Sequence, residues 1–358
     1  MRETTAVKSH PRAADPRSAF HWSVVAAFTE DPEAQPWLTR YVPGDRHRFT
    51  MIPRAVSEGN WHERTSTTTS RRDWLVSARQ ADPGRRQRDG GGVVTVLPQL
   101  TALSAVEKRA LHGSWPLVSW WFSTKGAYTG WRGSGTRAAL AAVDRFVVHS
   151  NSEADYYSSW LRVPRDRFEF VHFQKATIPI EFEVDREQPF VFATGSGQRD
   201  YGNFFSAIAK TGIRAVVAPG RHAVAGLDVP DEVSIRFDVT KADIFELGQR
   251  AAINVIPINI IGAAAGTMTI VEAMRQRCAI VCTRRLGIEE YVVDGETAVL
   301  VSPGDAGEMA EAMRWLMNDD AERERLAKNA YKFALAHCSD EAAGARMGEV
   351  LDGVLDAR

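Results

Sequence analysis

From residue 93 to residue 173, short runs of apolar and β-branched residues alternate with stretches of helical length and pattern. The alternation stops at a polar stretch, residues 181–188, and begins again at Pro189. Strands that alternate with helices of this length form parallel sheets with helices on both faces. Because the pattern occurs twice in a chain of 358 residues, the sequence predicts two doubly wound α/β domains joined by a linker.

The alternation also predicts where these units begin and end. We expect a disordered tail over residues 1–20, an N-terminal α/β domain over residues 21–182 and a C-terminal α/β domain over residues 188–338. Residues 339–358 are predicted to form a final helix. Ser152 is expected to cap a helix of the N-terminal domain.

Composition places the chain among ordinary globular proteins. No apolar run approaches the roughly 18 residues that a membrane-spanning helix needs, and the first residues lack the apolar core of a signal peptide. The three cysteines, Cys278, Cys282 and Cys338, lack the spacing of a metal site, so we expect buried free thiols. Free thiols are typical of the reducing cytoplasm, which is the predicted location.

Charge divides unevenly between the two halves. Residues 1–187 hold 26 basic and 21 acidic side chains, whereas the remainder holds 18 and 24. Part of the basic excess lies between Arg64 and Arg88. We expect this segment to be a solvated loop. The alternative is a docking surface for an anionic acceptor or a membrane, which would make the protein peripheral at the membrane.

The segment Gly266–Met274 carries the clearest functional signal. A Gly-x-x-Thr turn opens a predicted helix, and Glu272 follows six positions after Gly266. Free backbone N–H groups and the helix dipole favour an anion at such a helix start, so Gly266, Thr267 and Thr269 are predicted to bind a phosphate. The position of Glu272 suits a hydrogen bond from a ribose hydroxyl.

The sequence after this helix extends the pattern. A short apolar run, Cys278–Cys282, is followed by a turn that contains Asp294, Gly295 and Thr297 and ends in Pro303-Gly304-Asp305, with Ala298 where a glycine is usual. Over residues 189–335 the chain closely resembles the C-terminal half of retaining, nucleotide-sugar-dependent glycosyltransferases, the group 1 or GT4-like family. The resemblance implies the GT-B fold, in which two Rossmann-like domains face a cleft and the last helix crosses back onto the first domain.

The resemblance also implies an activity. Such enzymes move a sugar from a nucleotide-diphosphate donor to an acceptor with retention of configuration, without a cofactor and without a protein nucleophile. Arg199, in a loop with Ser196 and Gly197, matches the position of a phosphate-binding cation, and Glu272 matches the ribose-binding carboxylate. Many relatives have a second basic residue in that loop, which is not evident here. No Asp-x-Asp ends a predicted strand, so metal independence is expected.

The chain departs from the family pattern at two places. Ala264 stands where many relatives have a sugar-binding glutamate, and residues 28–33 replace a glycine-rich loop. Donor specificity therefore does not carry over. These departures leave an alternative open, a degenerate GT-B domain that binds a nucleotide sugar or a partner without turnover.

The acceptor side is less clearly marked. Trp120, Trp121 and His149 end predicted N-terminal strands at the cleft, where they would contact an acceptor; core packing is the alternative for each. A small molecule, a glycan and a lipid-linked sugar all remain open as acceptors, and nucleic acid is not expected. A sugar phosphorylase is disfavoured because no lysine lies near Gly266–Glu272 in the sequence, and an epimerase because few cleft carboxylates can be placed. Oligomeric state is open.

Overall fold

The computed structural model describes residues 19–26, 37–52, 79, 91–124, 126–259 and 265–358. Several features of the sequence lie outside these ranges. They are most of the tail, the loop at residues 28–33, the basic segment from Arg64 to Arg88 apart from Arg79, and Ala264.

The first half of the chain forms a parallel sheet of six strands. These strands are β1 Phe20–Val25, β2 His47–Ile52, β3 Gly92–Val96, β4 Leu117–Trp120, β5 Arg145–Val148 and β6 Phe168–Phe170. Its helices are α1 Pro98–Ala110, α2 Gly130–Leu140 and α3 Asn151–Leu161, and a short 3-10 helix spans Trp37–Tyr41. The strand order is β2-β1-β3-β4-β5-β6. Every residue of β3 and β4 is buried because helices cover both faces.

The second half repeats the arrangement. Its strands are β7 Val191–Thr194, β8 Ala215–Ala218, β9 Val233–Ile235, β10 Ile253–Ile256, β11 Ala279–Thr283 and β12 Val299–Val301. Its helices are α4 Tyr201–Thr211, α5 Lys241–Arg250, α6 Thr267–Arg275, α7 Ala306–Asn318 and α8 Asp320–His337. The order β9-β8-β7-β10-β11-β12 is that of a Rossmann sheet, and it reverses between β7 and β10. A ligand crevice is expected at that reversal, beyond the carboxyl ends of these two strands.

The two-domain α/β architecture predicted from the alternation is confirmed. One helix cap was assigned to the wrong serine. Helix α3 begins two residues earlier than a Ser152 cap implies, and Ser150 caps it by accepting a hydrogen bond from Glu153 N at 3.1 Å. Ser150 has the extended backbone that an N-cap requires, whereas Ser152 already lies inside the helix.

The final helix, α9 Asp340–Asp356, packs against the N-terminal sheet. Met347 and Leu351 join a core cluster with Trp22 and Val94. At its start, a Cβ on Gly344 would lie 2.4 Å from the Tyr41 Cβ, so only glycine permits this approach. The chain therefore returns from the second sheet to cover the first.

No helix among the described residues is both long enough and apolar enough to span a membrane.

Candidate functional site

Two loops meet where the C-terminal sheet reverses its strand order. One follows β7 and the other follows β10. Backbone hydrogen bonds join them, from Asp200 N to Pro257 O at 3.1 Å and from Asn259 N to Gln198 O at 3.2 Å. The side chains predicted to bind phosphate are therefore held on a fixed backbone frame.

Arg199 lies at the centre of this frame. Its guanidinium donates hydrogen bonds to Thr194 O at 3.0 Å, to Gly197 O at 2.9 Å and to Thr269 Oγ1 at 2.7 Å. A Cβ on Gly195 would lie 2.6 Å from Nη2, so the glycine makes room for the arginine. No carboxylate among the described residues forms an ion pair with Arg199. Burial lowers the pKa of its guanidinium.

The N-terminus of helix α6 lies beside Arg199. Its N-cap is Gly266, which has φ of 81° and therefore adopts a left-handed conformation that favours glycine. No side chain of the described residues caps the helix. Thr267 and Thr269 are both buried, and each hydroxyl accepts a guanidinium hydrogen bond. The helix start thus combines its dipole with two oriented cations.

The second cation is Arg285, which the sequence reasoning missed. It follows β11 by two residues, is 3% exposed, and donates from Nη2 to Thr267 Oγ1 at 3.1 Å. Burial lowers its pKa, and its charge further lowers the pKa of Arg199. Two like charges brought together in a half-buried crevice repel each other, and a bound anion would relieve that repulsion. An arginine at the carboxyl end of the strand beside β10 was the available sequence signal.

Glu272 has a partner that the sequence did not indicate. Its Oε1 lies 2.7 Å from Nζ of Lys175, and both side chains are mostly buried. Lys241, at the start of α5, acts on the same carboxylate at longer range, and both lysines lie near the ring of Phe245. The sequence has no lysine close to Glu272, and this counted against a phosphorylase. In the folded chain Lys175 contacts Glu272, so that argument fails. Lys175 is remote in sequence, so no local pattern could have indicated it.

The two remaining donor-side residues lie in the loop after β7. Ser196 is half-buried, with its hydroxyl close to Gly220, and Gly197 is exposed. Gly197 contributes its carbonyl to Arg199, so its described contact is to the cation itself.

On the N-terminal side the two adjacent tryptophans have different surroundings. Trp120 is fully buried and packs in the core, so it presents no face to the cleft. Trp121 is half-buried, stacks on Phe173 at 5.2 Å between ring centroids, and lies edge-on to His149. Its φ of 58° is unusual for a bulky residue, which indicates that surrounding packing holds it in a strained conformation.

His149 follows β5 directly and is 7% exposed. Its Nδ1 lies 2.8 Å from Val171 O, so this nitrogen carries the hydrogen and Nε2 carries a lone pair. Among the described residues nothing hydrogen-bonds to Nε2. Burial lowers the His149 pKa to about 4, so the ring is neutral at pH 7 and can accept a hydrogen bond.

Glu153 is a second buried group that the sequence reasoning did not place at the site. Its carboxylate accepts hydrogen bonds from Ser123 Oγ at 3.2 Å and from His149 N at 3.1 Å. Burial raises its pKa to about 7, and the positive charge of Arg285 opposes that rise.

The loop that carries Arg285 is docked onto the N-terminal half. Tyr291 Oη donates to His149 O at 2.8 Å and accepts from Phe173 N at 2.9 Å. Glu290 accepts from Asn151 N at 2.7 Å, which places a carboxylate at the start of α3. Hydrogen bonds therefore connect the two halves between the donor-side cations and the aromatic residues.

The described part of the chain contains no cluster of three or more His, Cys, Asp or Glu side chains arranged to hold a metal ion. Cys278, Cys282 and Cys338 are buried and free, and burial raises the pKa of each thiol to about 12.

Residues 221–333 match the protein-family model described as "Glycosyl transferases group 1". This range lies inside residues 189–335, where the resemblance was identified. An alpha-D-kanosaminyltransferase from Streptomyces kanamyceticus is 34% identical over 82 residues, which are 22% of this chain and 21% of that protein. The chain thus spans about a fifth of the curated relative it matches.

Solved structures share the whole architecture. A sucrose-phosphate synthase from Thermosynechococcus elongatus superposes with a TM-score of 0.68 at 16% identity, covering 95% of this chain and 100% of that one. HepE from Anabaena, solved in complex with UDP, gives 0.68 at 12% identity over 94% and 100% of the two chains. At these identities the likeness concerns the fold alone, and it confirms the GT-B arrangement.

Proposed function

We propose, from the premise that residues 221–333 are a group 1 glycosyl transferase domain, that this protein transfers a sugar from a nucleotide-diphosphate donor to an acceptor. The observation that carries the proposal is the pair of guanidiniums at the uncapped start of α6. Arg199 and Arg285 each bond a threonine hydroxyl there, at the reversal of a Rossmann sheet. That combination of fixed cations and helix N-terminus suits a diphosphate.

The proposed reaction uses these charges when the glycosidic bond breaks. The bond between the sugar's anomeric carbon and the diphosphate oxygen breaks, and negative charge grows on the leaving group. Arg199 and Arg285 stabilise that charge without a metal ion, because they are already oriented before the reaction. The acceptor oxygen bonds the anomeric carbon on the face that the diphosphate leaves, and its proton passes to the leaving phosphate. Retention is proposed from the family resemblance.

Glu272 is proposed to bind the ribose. A carboxylate offers about four acceptor positions, so the ion pair with Lys175 leaves room for hydrogen bonds from ribose hydroxyls. Lys175 would hold the carboxylate in place. Uridine nucleotides are the first to test, because HepE was solved with UDP and with UDP-glucose.

On the other side of the cleft, Trp121 and His149 are proposed to contact the acceptor. Nε2 of the neutral imidazole carries a lone pair without a hydrogen-bond partner among the described residues, and a hydrogen bond from a hydroxyl would be accepted there once the side chains that bury this atom move aside. The half-buried indole offers an apolar face to a sugar ring. Trp120 is left out of this proposal because it is fully buried.

Isothermal titration calorimetry with UDP, GDP and ADP, with and without EDTA, tests the donor site. One nucleotide should bind without metal, and at 100 times its dissociation constant it should stabilise the fold by about 2.7 kcal/mol. Arg199→Gln should lower turnover by at least about 100-fold. Arg199→Lys keeps the charge and should recover part of the loss. Glu272→Gln should weaken the binding of nucleoside diphosphates but leave the binding of inorganic pyrophosphate unchanged.

Turnover separates a transferase from a degenerate domain. Release of nucleotide from the sugar donor should be measurable with water as a slow acceptor, and it should increase with hydroxyl acceptors. Nucleotide binding without release in any acceptor panel would favour the non-catalytic alternative. The absence of binding by all nucleotides would contradict both. An NMR spectrum of the product would reveal whether the anomeric configuration is retained.

A further inference from the structure

An open groove lies on the N-terminal half, away from the donor site. Helices α1 and α2 pack side by side there, joined by a hydrogen bond from Arg109 Nη1 to Ala138 O at 2.8 Å. The groove between them has a volume of about 370 Å³, and its walls include Ala102, Tyr128, Trp131, Arg132 and Thr136. We call it the aromatic groove. The proposed glycosyl transfer uses none of these side chains.

The aromatic groove exposes side chains that proteins usually bury. Trp131 is 80% exposed, the largest exposed fraction among the exposed large hydrophobic side chains of the described residues, and Tyr128 is 52% exposed. Val106, one helical turn after Ala102 on the same face of α1, is 51% exposed. An indole and a phenol beside aliphatic groups match the boundary between lipid headgroups and acyl chains, where one end of the ring is wet and the other is apolar.

The charge around the groove is positive. Arg109 on α1 and Arg132 on α2 are exposed, and Arg137 on α2 is half-buried. Lys108 is buried and paired with Asp144 at 2.7 Å, and the acidic side chain of α1, Glu107, is half-buried. The Arg132 guanidinium lies 5.4 Å from the Trp131 ring centroid and is exposed. On the neighbouring helix α3, Asp155 is paired with Arg165 at 2.6 Å and Glu153 is buried. The exposed cations therefore face solvent beside the aromatic rings.

We propose that the aromatic groove docks on an anionic lipid bilayer. Trp131 and Tyr128 would enter the headgroup region while Arg132 and its basic neighbours contact lipid phosphates. A second copy of this chain is a poorer occupant. Self-association through this face would bring arginines from both copies together, and like charges oppose such a contact.

The position of the groove connects docking with the cleft. One loop connects Trp121, at the edge of the cleft, to Tyr128 in the groove, seven residues later. Thr124 N in this loop donates a hydrogen bond to Tyr157 Oη at 2.8 Å. Seven residues span at most about 25 Å, so a bilayer on the groove would lie within that distance of Trp121 on the acceptor side of the cleft. If the proposed function is correct, the bilayer supplies a lipid-linked acceptor, and this last step rests on that function. The docking itself does not.

Vesicle co-sedimentation of the full-length protein tests the proposal. Vesicles of equimolar phosphatidylcholine and phosphatidylglycerol should bind the protein, and pure phosphatidylcholine should bind it at least about tenfold more weakly. The double variant Tyr128→Ser with Trp131→Ser should lower binding by about tenfold or more, and Arg132→Gln should lower it by a few-fold. These side chains are exposed, so the variants should fold, and thermal unfolding checks this.

Matched controls come from the C-terminal half. Trp315→Ser removes a tryptophan that is 45% exposed on α7, and Arg314→Gln removes an exposed arginine on the same helix. Neither should change vesicle binding. Equal binding by the wild type and the Tyr128/Trp131 variant would overturn the proposal, and so would no binding to anionic vesicles. A dimer that Trp131→Ser abolishes, without vesicle binding, would instead identify a second copy as the occupant.

The test is separable from glycosyl transfer. Arg199→Gln should bind vesicles like the wild type, because the donor site and the groove lie on different halves of the chain. Failure of nucleotide binding would therefore leave the vesicle result standing, and the reverse also holds.

Discussion

In the C-terminal half of the chain the carboxyl ends of the strands carry guanidinium and hydroxyl groups, whereas in the N-terminal half they carry aromatic rings and a neutral histidine. Both halves use a six-stranded parallel sheet whose strand order reverses, between β1 and β3 in the first half and between β7 and β10 in the second. The family match, residues 221–333, lies entirely in the C-terminal half. The difference shows that a shared fold leaves the chemistry of each strand end free to change.

The largest expected effect at the donor site distinguishes two neighbouring arginines. Arg285 is buried at the start of α6, whereas Arg284 is exposed and pairs with Asp294 at 2.5 Å. Arg285→Gln should weaken nucleotide binding by about 10- to 100-fold, because a charge-assisted hydrogen bond is lost. Arg284→Gln should change it by less than about twofold. Calorimetry of both variants measures this, and equal effects would show that Arg285 does not act on the ligand.

In the N-terminal half, the buried carboxyl group of Glu153 should make the free energy of unfolding depend on pH. Because the folded pKa of Glu153 is raised to about 7 from 4.5, the ionised form is disfavoured by folding. Its contribution to the free energy of unfolding therefore falls as pH rises from about 4.5 to about 7 and then stays constant. Glu153→Gln should gain stability relative to the wild type across that window, on the order of 2 kcal/mol.

Urea denaturation of both proteins at several pH values from 4 to 8 measures that difference. The glutamine can keep both contacts, accepting from His149 N and donating to Ser123 Oγ, so packing is preserved. A difference in stability that does not vary with pH would contradict the raised pKa.

The smallest expected effect separates the acceptor side from the donor side. Trp121→Ala should raise the acceptor KM by about five- to tenfold, because an apolar face is removed, while the affinity for the nucleotide stays the same. Steady-state kinetics with the first acceptor that supports turnover checks this. If Trp121→Ala lost as much nucleotide affinity as Arg285→Gln, the assignment of the acceptor to the N-terminal half and of the donor to the C-terminal half would be contradicted.

Much of the fold was predictable because local pattern and tertiary structure agree. The alternation of apolar runs with helical stretches predicted two parallel α/β units on either side of a polar linker, and the structure has a six-stranded parallel sheet in each half. The start of α6 was predictable for the same reason, since Gly266, Thr267, Thr269 and Glu272 are close in sequence and a helix places them by its own geometry.

The rest of the site was not predictable because its members come from distant segments. Lys175 reaches Glu272 from the connection between the two halves, and Arg285 reaches Thr267 from the end of a different strand. Trp120 and Trp121 have the same side chain and adjacent positions, yet one is in the core and the other at the cleft. Whether each ring lies in the core or at the cleft depends on the left-handed backbone conformation of Trp121, and no sequence pattern predicts that conformation.

The sequence by itself determined the two parallel sheets, the uncapped helix start and the single cation of the first loop, because each depends on the periodicity or spacing of nearby residues. Only the tertiary structure decided which charges meet. The second cation, the partner of Glu272 and the buried Glu153 are brought together by strand order and by the docking of Tyr291 between the halves. Electrostatic interaction depends on distance in space and on burial, and neither quantity is written in the order of residues along the chain.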